Sequence, residues 1–260
     1  MKLFYETHGE GEPLVLIPGF ASGAWLWFQQ IEELAKYFQV ITFDPRGIAR
    51  SELSKIEKEE VSIKLIANDI CQILDKLEIE KTNIVGTSFG GFVAQKFALN
   101  HSNRLNKLIL ACTSFGGENH VLPNLEIISA FASTENLNDS ERIRKYMRPA
   151  FTIEFSLKYP EIVEKVCQLR EQNIVPENVY LQQLQSATIF NTEKRISQII
   201  AQTLIISGDS DKVVPMQNSI NLAKLIPNSR LEIIENGGHL FFIEQAEKFN
   251  KIVIDFVNSE

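Results

Sequence analysis

The sequence predicts an α/β fold, a mainly parallel β-sheet flanked by helices on both faces, and three observations carry that prediction. Short apolar runs of strand length recur at Leu14–Ile17, Val40–Phe43, Asn83–Val85, Lys107–Ala111, Thr203–Ser207 and Leu231–Ile234. Continuous runs of this kind suit strands buried on both faces. Stretches with apolar residues at helical spacing separate most of them, and alternation of strand and helix requires crossover connections and hence parallel pairing. Finally, the glycine-rich loops that carry serine, aspartate and histidine each follow a strand directly, where a parallel sheet gathers its ligands.

Composition narrows the function classes. The chain has 260 residues, 44% of them hydrophobic, which is ample for a substantial core, although length alone leaves open one large domain or two small ones. A net charge of −7 without a basic stripe argues against a nucleic-acid or anionic-membrane surface. Met1–Tyr5 passes at once into a polar region around His8, too short for the apolar core of a signal peptide, and no long apolar run follows. A cytoplasmic protein without stable membrane association is expected. Cys71, Cys112 and Cys167 are far apart and outside any Cys-x-x-Cys spacing, so buried thiols are expected rather than disulfides or a zinc knuckle. No metal or cofactor is anticipated.

Taken in order, Leu14–Ile17 ends at Pro18-Gly19, and a loop, Phe20 to Ala24, follows. Trp27, Ile31, Leu34 and Phe38 have helix-like spacing, so a helix is predicted from Trp25 to Phe38 before the strand that ends at Asp44. Ser54 to Glu60 is a mixed charged run, read as a solvated face. The stripe Ile63, Ile66, Ala67, Ile70, Ile73, Leu74 and Leu77 predicts a helix leading into the Asn83 strand.

After Cys112 the rhythm breaks. Residues 113–199 contain helix-like segments, including Glu141–Met147 and Glu161–Gln172, without a clear core strand. They are read as a helical cap insertion between a first core part, residues 1–112, and a second, residues 200–260. Phe131, Phe151, Phe155, Tyr159, Leu181, Leu184 and Phe190 suit a small cap over the strand ends, and each is first of all read as internal packing. The second core part adds helices at about Met216–Leu225 and Gln245–Val257.

The chemistry centres on Gly86-Thr87-Ser88-Phe89-Gly90, where a strand turns sharply into a helix. Such a turn crowds the backbone at its apex, favours residues without a Cβ on either side, and pushes the apex side chain out of the sheet, as a nucleophile requires. Two bland readings stand beside this one. The segment could be a glycine-rich turn capped by Ser88, or a phosphate cradle, although the G-x-x-x-G-G order matches neither phosphate-binding pattern.

A serine hydroxyl needs a general base, and the base needs an acid to hold its tautomer. Of His8, His101, His120 and His239, only His239 sits in a loop after a core strand, Glu235-Asn236-Gly237-Gly238-His239. The loop Gly208 to Pro215 offers Asp211, which is further from the strand end and better able to reach across, with Asp209 as the second choice and a turn-closing role as its bland reading.

The order Ser88, Asp211, His239, together with Leu14–Phe20, Phe43-Asp44-Pro45-Arg46-Gly47, GTSFGG, GDSDKVVP and NGGH, resembles the α/β-hydrolase fold over nearly the whole chain. The resemblance implies a small-molecule ester or lactone substrate, an acyl-enzyme on Ser88, and oxyanion donors at the backbone N–H groups of Phe20 and Phe89. It also implies an acid at the second Asp of a Gly-x-x-Asp loop, which is Asp211. Two features depart from the family pattern: Pro18-Gly19 stands where His-Gly is common, and Arg46–Ser51 lacks a second glycine. A serine at the apex argues against the dehalogenase and epoxide-hydrolase branches, which use aspartate there. The length and Ala111-Cys112-Thr113-Ser114 resemble 3-oxoadipate enol-lactonases and haloperoxidase-type esterases. Arg142, Arg144 and Arg148 are read as a solvated helix face rather than an anion contact. Carbon–carbon bond hydrolysis with the same triad, and a ligand-binding receptor with little turnover, are the alternatives.

Overall fold

The computed structural model describes residues 2–51, 53, 60–123, 125–132 and 137–259, with the backbone alone at 126 and 130–132. Most of the charged run Ser54–Glu60, and the side chain of Phe131, lie outside the described residues. The first half of the chain forms β1 (Tyr5–His8), β2 (Glu12–Ile17), α1 (Ile31–Leu34), β3 (Phe38–Phe43), α2 (Ile63–Lys76), β4 (Thr82–Thr87), α3 (Phe89–Asn100) and β5 (Leu105–Ala111). Helices α4 (Leu125–Ala132), α5 (Asp139–Met147), α6 (Ile153–Lys158), α7 (Pro160–Gln172) and α8 (Glu177–Thr188) follow. The chain then returns to the sheet with β6 (Thr203–Gly208), α9 (Gln217–Leu225), β7 (Ser229–Ile234), α10 (Phe241–Glu244) and α11 (Ala246–Val257).

Among the described residues the sheet has seven strands in the order β1-β3-β2-β4-β5-β6-β7. Every neighbouring pair is parallel except β1 with β3. The alternation of side chains along each strand divides the core in two. Val15, Ile17, Ile41, Phe43, Leu108, Leu110 and Ile205 pack in one cluster with the apolar stripe of α2 and with α3. Leu14, Leu16, Phe38, Val40, Ile109, Ala111, Leu204 and Ile206 face the other, with Phe249, Val253 and Phe256 of α11. Both faces are therefore covered, which is why the strands read as unbroken apolar runs.

Two features differ from the sequence expectation. Trp25–Phe38 is not one helix: a single 3-10 turn, Ala24–Trp27, is followed by the short α1, and Phe38 already begins β3. Bulky aromatics at 25, 27 and 28 are poor helix formers, and Trp27, Leu34 and Phe38 are buried individually rather than as a helical face. Strand β1 was not anticipated, because as a partly exposed antiparallel edge it has no apolar run.

The topology positions the site. From β2 the chain moves outward to β3 and then crosses back to β4, so β2 and β4 are neighbours at the point where strand order reverses. Ile17 pairs with Gly86 there, and the loops after both strands open side by side at the carboxyl edge. Helix α3 rises from β4 so closely that a Cβ on Gly86 would lie 2.4 Å from the Gly90 carbonyl oxygen and 2.8 Å from Ala94 Cβ. Among the described residues no helix is long and apolar enough to cross a membrane.

Gly86→Ala is expected to destabilise the fold by about 1–3 kcal/mol, the usual cost of forcing an extra carbon into a close-packed contact. Thermal unfolding measures this, and a melting temperature equal to the parent's would show that α3 can back away from β4 without cost.

Candidate active site

Ser88 occupies the turn between β4 and α3 with φ 53° and ψ −119°, a conformation that L-residues rarely adopt. The surrounding backbone holds it there. Ser88 N–H donates to the Ala111 carbonyl at 2.9 Å, and the Ser88 carbonyl accepts from Gly91 N–H at 2.9 Å and from Thr113 Oγ1 at 2.8 Å. A Cβ on Gly90 would approach the Ile17 and Pro18 carbonyl oxygens to 2.3 and 2.6 Å. The glycine there lets α3 begin hard against the end of β2.

Phe89 is the first residue of α3, so its N–H is one of the helix's donors without an intrahelical partner. Across from it, a Cβ on Gly19 would sit 3.7 Å from Ser88 Cβ, which brings the loop carrying Phe20 alongside the serine. The rings of Phe20 and Phe89 meet edge to face, 6.0 Å between centroids. Both residues with anticipated backbone donors therefore flank the elbow.

His239 and Asp211 come together after β7 and β6. His239 Nδ1 lies 2.8 Å from Asp211 Oδ2, and both side chains are buried. A carboxylate only accepts, so Nδ1 carries the proton and Nε2 is left as an acceptor for a hydroxyl. The other carboxylate oxygen, Oδ1, accepts from Val213 and Val214 N–H, both at 2.8 Å. Asp211 is thus fixed by its own loop. Asp209 is exposed, and its side chain accepts from the hydroxyl of Ser210. The remaining histidines lie elsewhere: His8 on β1, His101 capping α3 with Nε2 2.9 Å from Asn68 Oδ1, and His120 between β5 and α4.

The loops of Asp211 and His239 are joined backbone to backbone. Ser210 N–H donates to the Gly237 carbonyl at 3.0 Å, and a Cβ on Gly208 would fall 2.1 Å from that same oxygen. On its far side the histidine loop is held by Glu244, which accepts from Gly238 N–H at 2.6 Å and from Thr152 N–H, just before α6, at 2.5 Å. Burial holds the Glu244 carboxyl above its ordinary range despite those donors, and Asp211 adds to the rise. Sequence reasoning passed over this residue because nothing in its neighbourhood suggests a loop support 5 positions from the histidine.

Other chemistry is less well supplied. The three cysteines are free, and burial pushes each thiol up, whereas a nucleophilic thiol needs a depressed pKa. Among the described residues no group of three or more His, Cys, Asp or Glu could hold a metal ion. Arg144 is taken up by Glu164, at 2.7 Å, and by Glu171, and Arg142 by Asp139 at 3.4 Å. A hollow of about 720 Å³ among α5, α7 and α8 is lined by Arg170, Tyr146 and Tyr180, with Tyr180 packed edge-on against Phe20 at 4.9 Å. A larger hollow of about 1140 Å³ lies on the outer face between α1 and α11, lined mainly by charged and polar side chains such as Glu32, Lys36 and Lys251.

A family model described as alpha/beta hydrolase fold matches residues 12–246. A 2-hydroxy-6-oxononadienedioate/2-hydroxy-6-oxononatrienedioate hydrolase of Pseudomonas putida is 29% identical, with 99% of this chain and 92% of that protein covered. Among solved structures, an N-acyl homoserine lactone degrading enzyme superposes with a TM-score of 0.81 at 26% identity, covering 98% of this chain and 96% of that one. A thermophilic esterase from Thermogutta terrifontis gives 0.83 at 26% identity, with 98% and 92% covered.

Asp211→Asn is expected to lower turnover of an activated aryl ester by about 10³–10⁴-fold, the cost of releasing the imidazole from its productive tautomer. Asp209→Asn should leave it nearly unchanged, and the reverse ranking would reassign the acid. Glu244 adds a pH signature. Because its folded pKa is raised, the stability it contributes is full below the ordinary glutamate value of about 4.3 and is lost as pH rises through the folded value. Glu244→Gln should flatten that part of the stability profile in denaturant titrations; an unaltered slope would remove Glu244 as its source.

Proposed function

Since the chain belongs to the alpha/beta hydrolase fold family, we propose that it is a serine hydrolase that cleaves a small carboxylic ester or lactone through an acyl-enzyme on Ser88. The observation that carries this reading is a serine at the apex of a strained strand-to-helix turn, on the same sheet edge as a buried histidine whose Nδ1 is paired with Asp211. In the proposed cycle Nε2 of His239 takes the Ser88 proton as Oγ attacks the acyl carbon. The developing oxyanion is met by the Phe20 and Phe89 N–H groups, assisted by the positive end of α3. The imidazolium, stabilised by Asp211, returns the proton to the leaving alcohol. Water activated by the same imidazole then releases the acid and restores the serine. Residues 113–199 act as a cap over the strand ends, between core parts 1–112 and 200–260.

Ester and lactone substrates are favoured by the likeness to a lactone-degrading enzyme and a thermophilic esterase. A second reading, carbon–carbon bond hydrolysis with the same triad, is favoured by the relative from Pseudomonas putida, whose named substrates are hydroxy-oxo acids rather than esters. A ligand-binding receptor with little turnover is the reading from a different class, and the pairing of His239 with Asp211 argues for catalysis, because a binder has no need to fix an imidazole tautomer.

The wild-type protein is expected to be labelled by a fluorophosphonate and to hydrolyse short-chain aryl esters, with Ser88→Ala abolishing labelling and lowering turnover by at least about 10³-fold. Absence of both in the wild type would overturn the serine hydrolase reading. Labelling with turnover of a vinylogous diketone but of no ester or lactone would favour carbon–carbon hydrolysis.

A further inference from the structure

The loop that carries Phe20 is a tight turn in which Ser22 N–H donates to the Gly19 carbonyl at 3.2 Å. Its third residue, Ala21, has φ 50°, where glycine is the usual occupant. An alanine in that position is relieved by a flip of the central peptide, between Phe20 and Ala21, so local preference opposes the observed turn. The preceding residue gives no help, because Pro18 has neither an N–H nor a polar side chain with which to anchor the loop.

Both polar atoms of that central peptide are instead held by side chains of the helical insertion. Arg170 Nη1, from α7, donates to the Phe20 carbonyl at 3.3 Å and to Ser22 Oγ at 3.2 Å, and the Ser22 hydroxyl itself donates to the Phe20 carbonyl at 3.2 Å. Gln183 Oε1, from α8, accepts from Ala21 N–H at 2.8 Å, and the Gln183 side chain is buried. A flipped peptide would present its carbonyl where Gln183 needs a donor and its N–H where Arg170 needs an acceptor. Arg170 lies against the loop and also lines the hollow described above, and burial lowers its pKa to about 10, so it remains charged at neutral pH.

We propose that Arg170 and Gln183 are positioning residues that lock the Phe20–Ala21 peptide from both ends and thereby set the Phe20 amide for the oxyanion, so that this donor is in place only while the insertion is seated on the core. The inference rests on the reading of Ser88 as nucleophile and of Phe20 N–H as an oxyanion donor. A flip would leave the Gly19–Phe20 peptide within the turn unrotated, but it would set the new carbonyl against Gln183 Oε1 and the new N–H against the Arg170 guanidinium, and that repulsion lifts the turn, with the Phe20 N–H it carries, away from Ser88. The contacts bridge 150 and 162 residues of sequence, so they report insertion docking rather than local folding.

The test uses the full-length protein and steady-state hydrolysis of an aryl ester. Gln183→Leu and Arg170→Gln are each expected to lower kcat about 10- to 100-fold, less than the loss of an oxyanion donor itself, with KM changed far less. Gln183→Glu retains an acceptor oxygen and should restore most of kcat. The double variant should fall short of the product of the single effects, because both side chains hold one peptide. Ala21→Gly, which accepts positive φ without strain, should recover part of the kcat lost in Gln183→Leu, a rescue that a purely structural role for Gln183 does not produce. If Gln183→Leu fails to fold, Arg170→Gln with and without Ala21→Gly carries the same comparison. Full kcat in folded Gln183→Leu and Arg170→Gln, or no rescue by Ala21→Gly, overturns the lock while leaving the serine hydrolase reading intact. A wild type without Ser88-dependent turnover overturns both.

Discussion

Around Ser88 the end of β2, the end of β4 and the first turn of α3 approach one another with no room for an added carbon. The limiting contact is between Gly90 and the carbonyl oxygens of Ile17 and Pro18, with Gly86 and Gly90 facing each other across the turn. This approach sets the angle at which α3 leaves the sheet and holds a non-glycine residue at φ 53°. A strained residue of this kind costs about 1–3 kcal/mol, and the cost is borne by the buried parallel strands on either side. The same approach brings Phe20 and Phe89 together beside the serine, so the proposed nucleophile and both proposed oxyanion donors depend on one packing event.

Asp211 and His239, the proposed acid and base, are brought together by a similar device after β6 and β7. Gly208 at the end of β6 lies against the Gly237 carbonyl, and the Ser210 amide donates to that oxygen. The two loops are thereby one unit before any side chain is considered. Asp211 then has little freedom: one carboxylate oxygen is taken by two backbone N–H groups and the other faces His239. Asp209, two positions earlier, emerges on the exposed side of the same loop.

The helices between β5 and β6 contribute polar side chains to the loops after the strands as well as apolar packing. Phe151, Phe155 and Val166 extend one core cluster, and Val179 and Phe190 the other. The backbone at Thr152 meets Glu244 behind the histidine loop, and Gln183 and Arg170 meet the loop of Phe20. The loop of Phe20 follows β2 directly, and Glu244 closes α10 just after the histidine loop, so the helices between β5 and β6 are tied to the loops of Ser88's neighbour Phe20 and of His239.

Much of the fold was legible because its strands are buried on both faces and so leave unbroken apolar runs, and because Gly86 near the end of β4 and Gly208 at the end of β6 sit where close packing requires glycine. Ser88 and His239 stood out for the same reason, each being flanked by residues whose lack of a Cβ marks a crowded turn. The short helices within Trp25–Phe38 and the edge strand β1 were not legible, since aromatic burial mimics helical spacing and a half-exposed edge has no apolar signature. By itself the sequence determined the alternating architecture, the strained serine turn and the chain order of serine, acid and base, all of which depend on local composition and spacing. Only the tertiary structure decided which of two aspartates faces the histidine, that Glu244 supports its loop, and that Gln183 and Arg170 grip the Phe20–Ala21 peptide. These are contacts between segments far apart in the chain or pointing to different sides of one loop, and no pattern within a short window records where such segments meet.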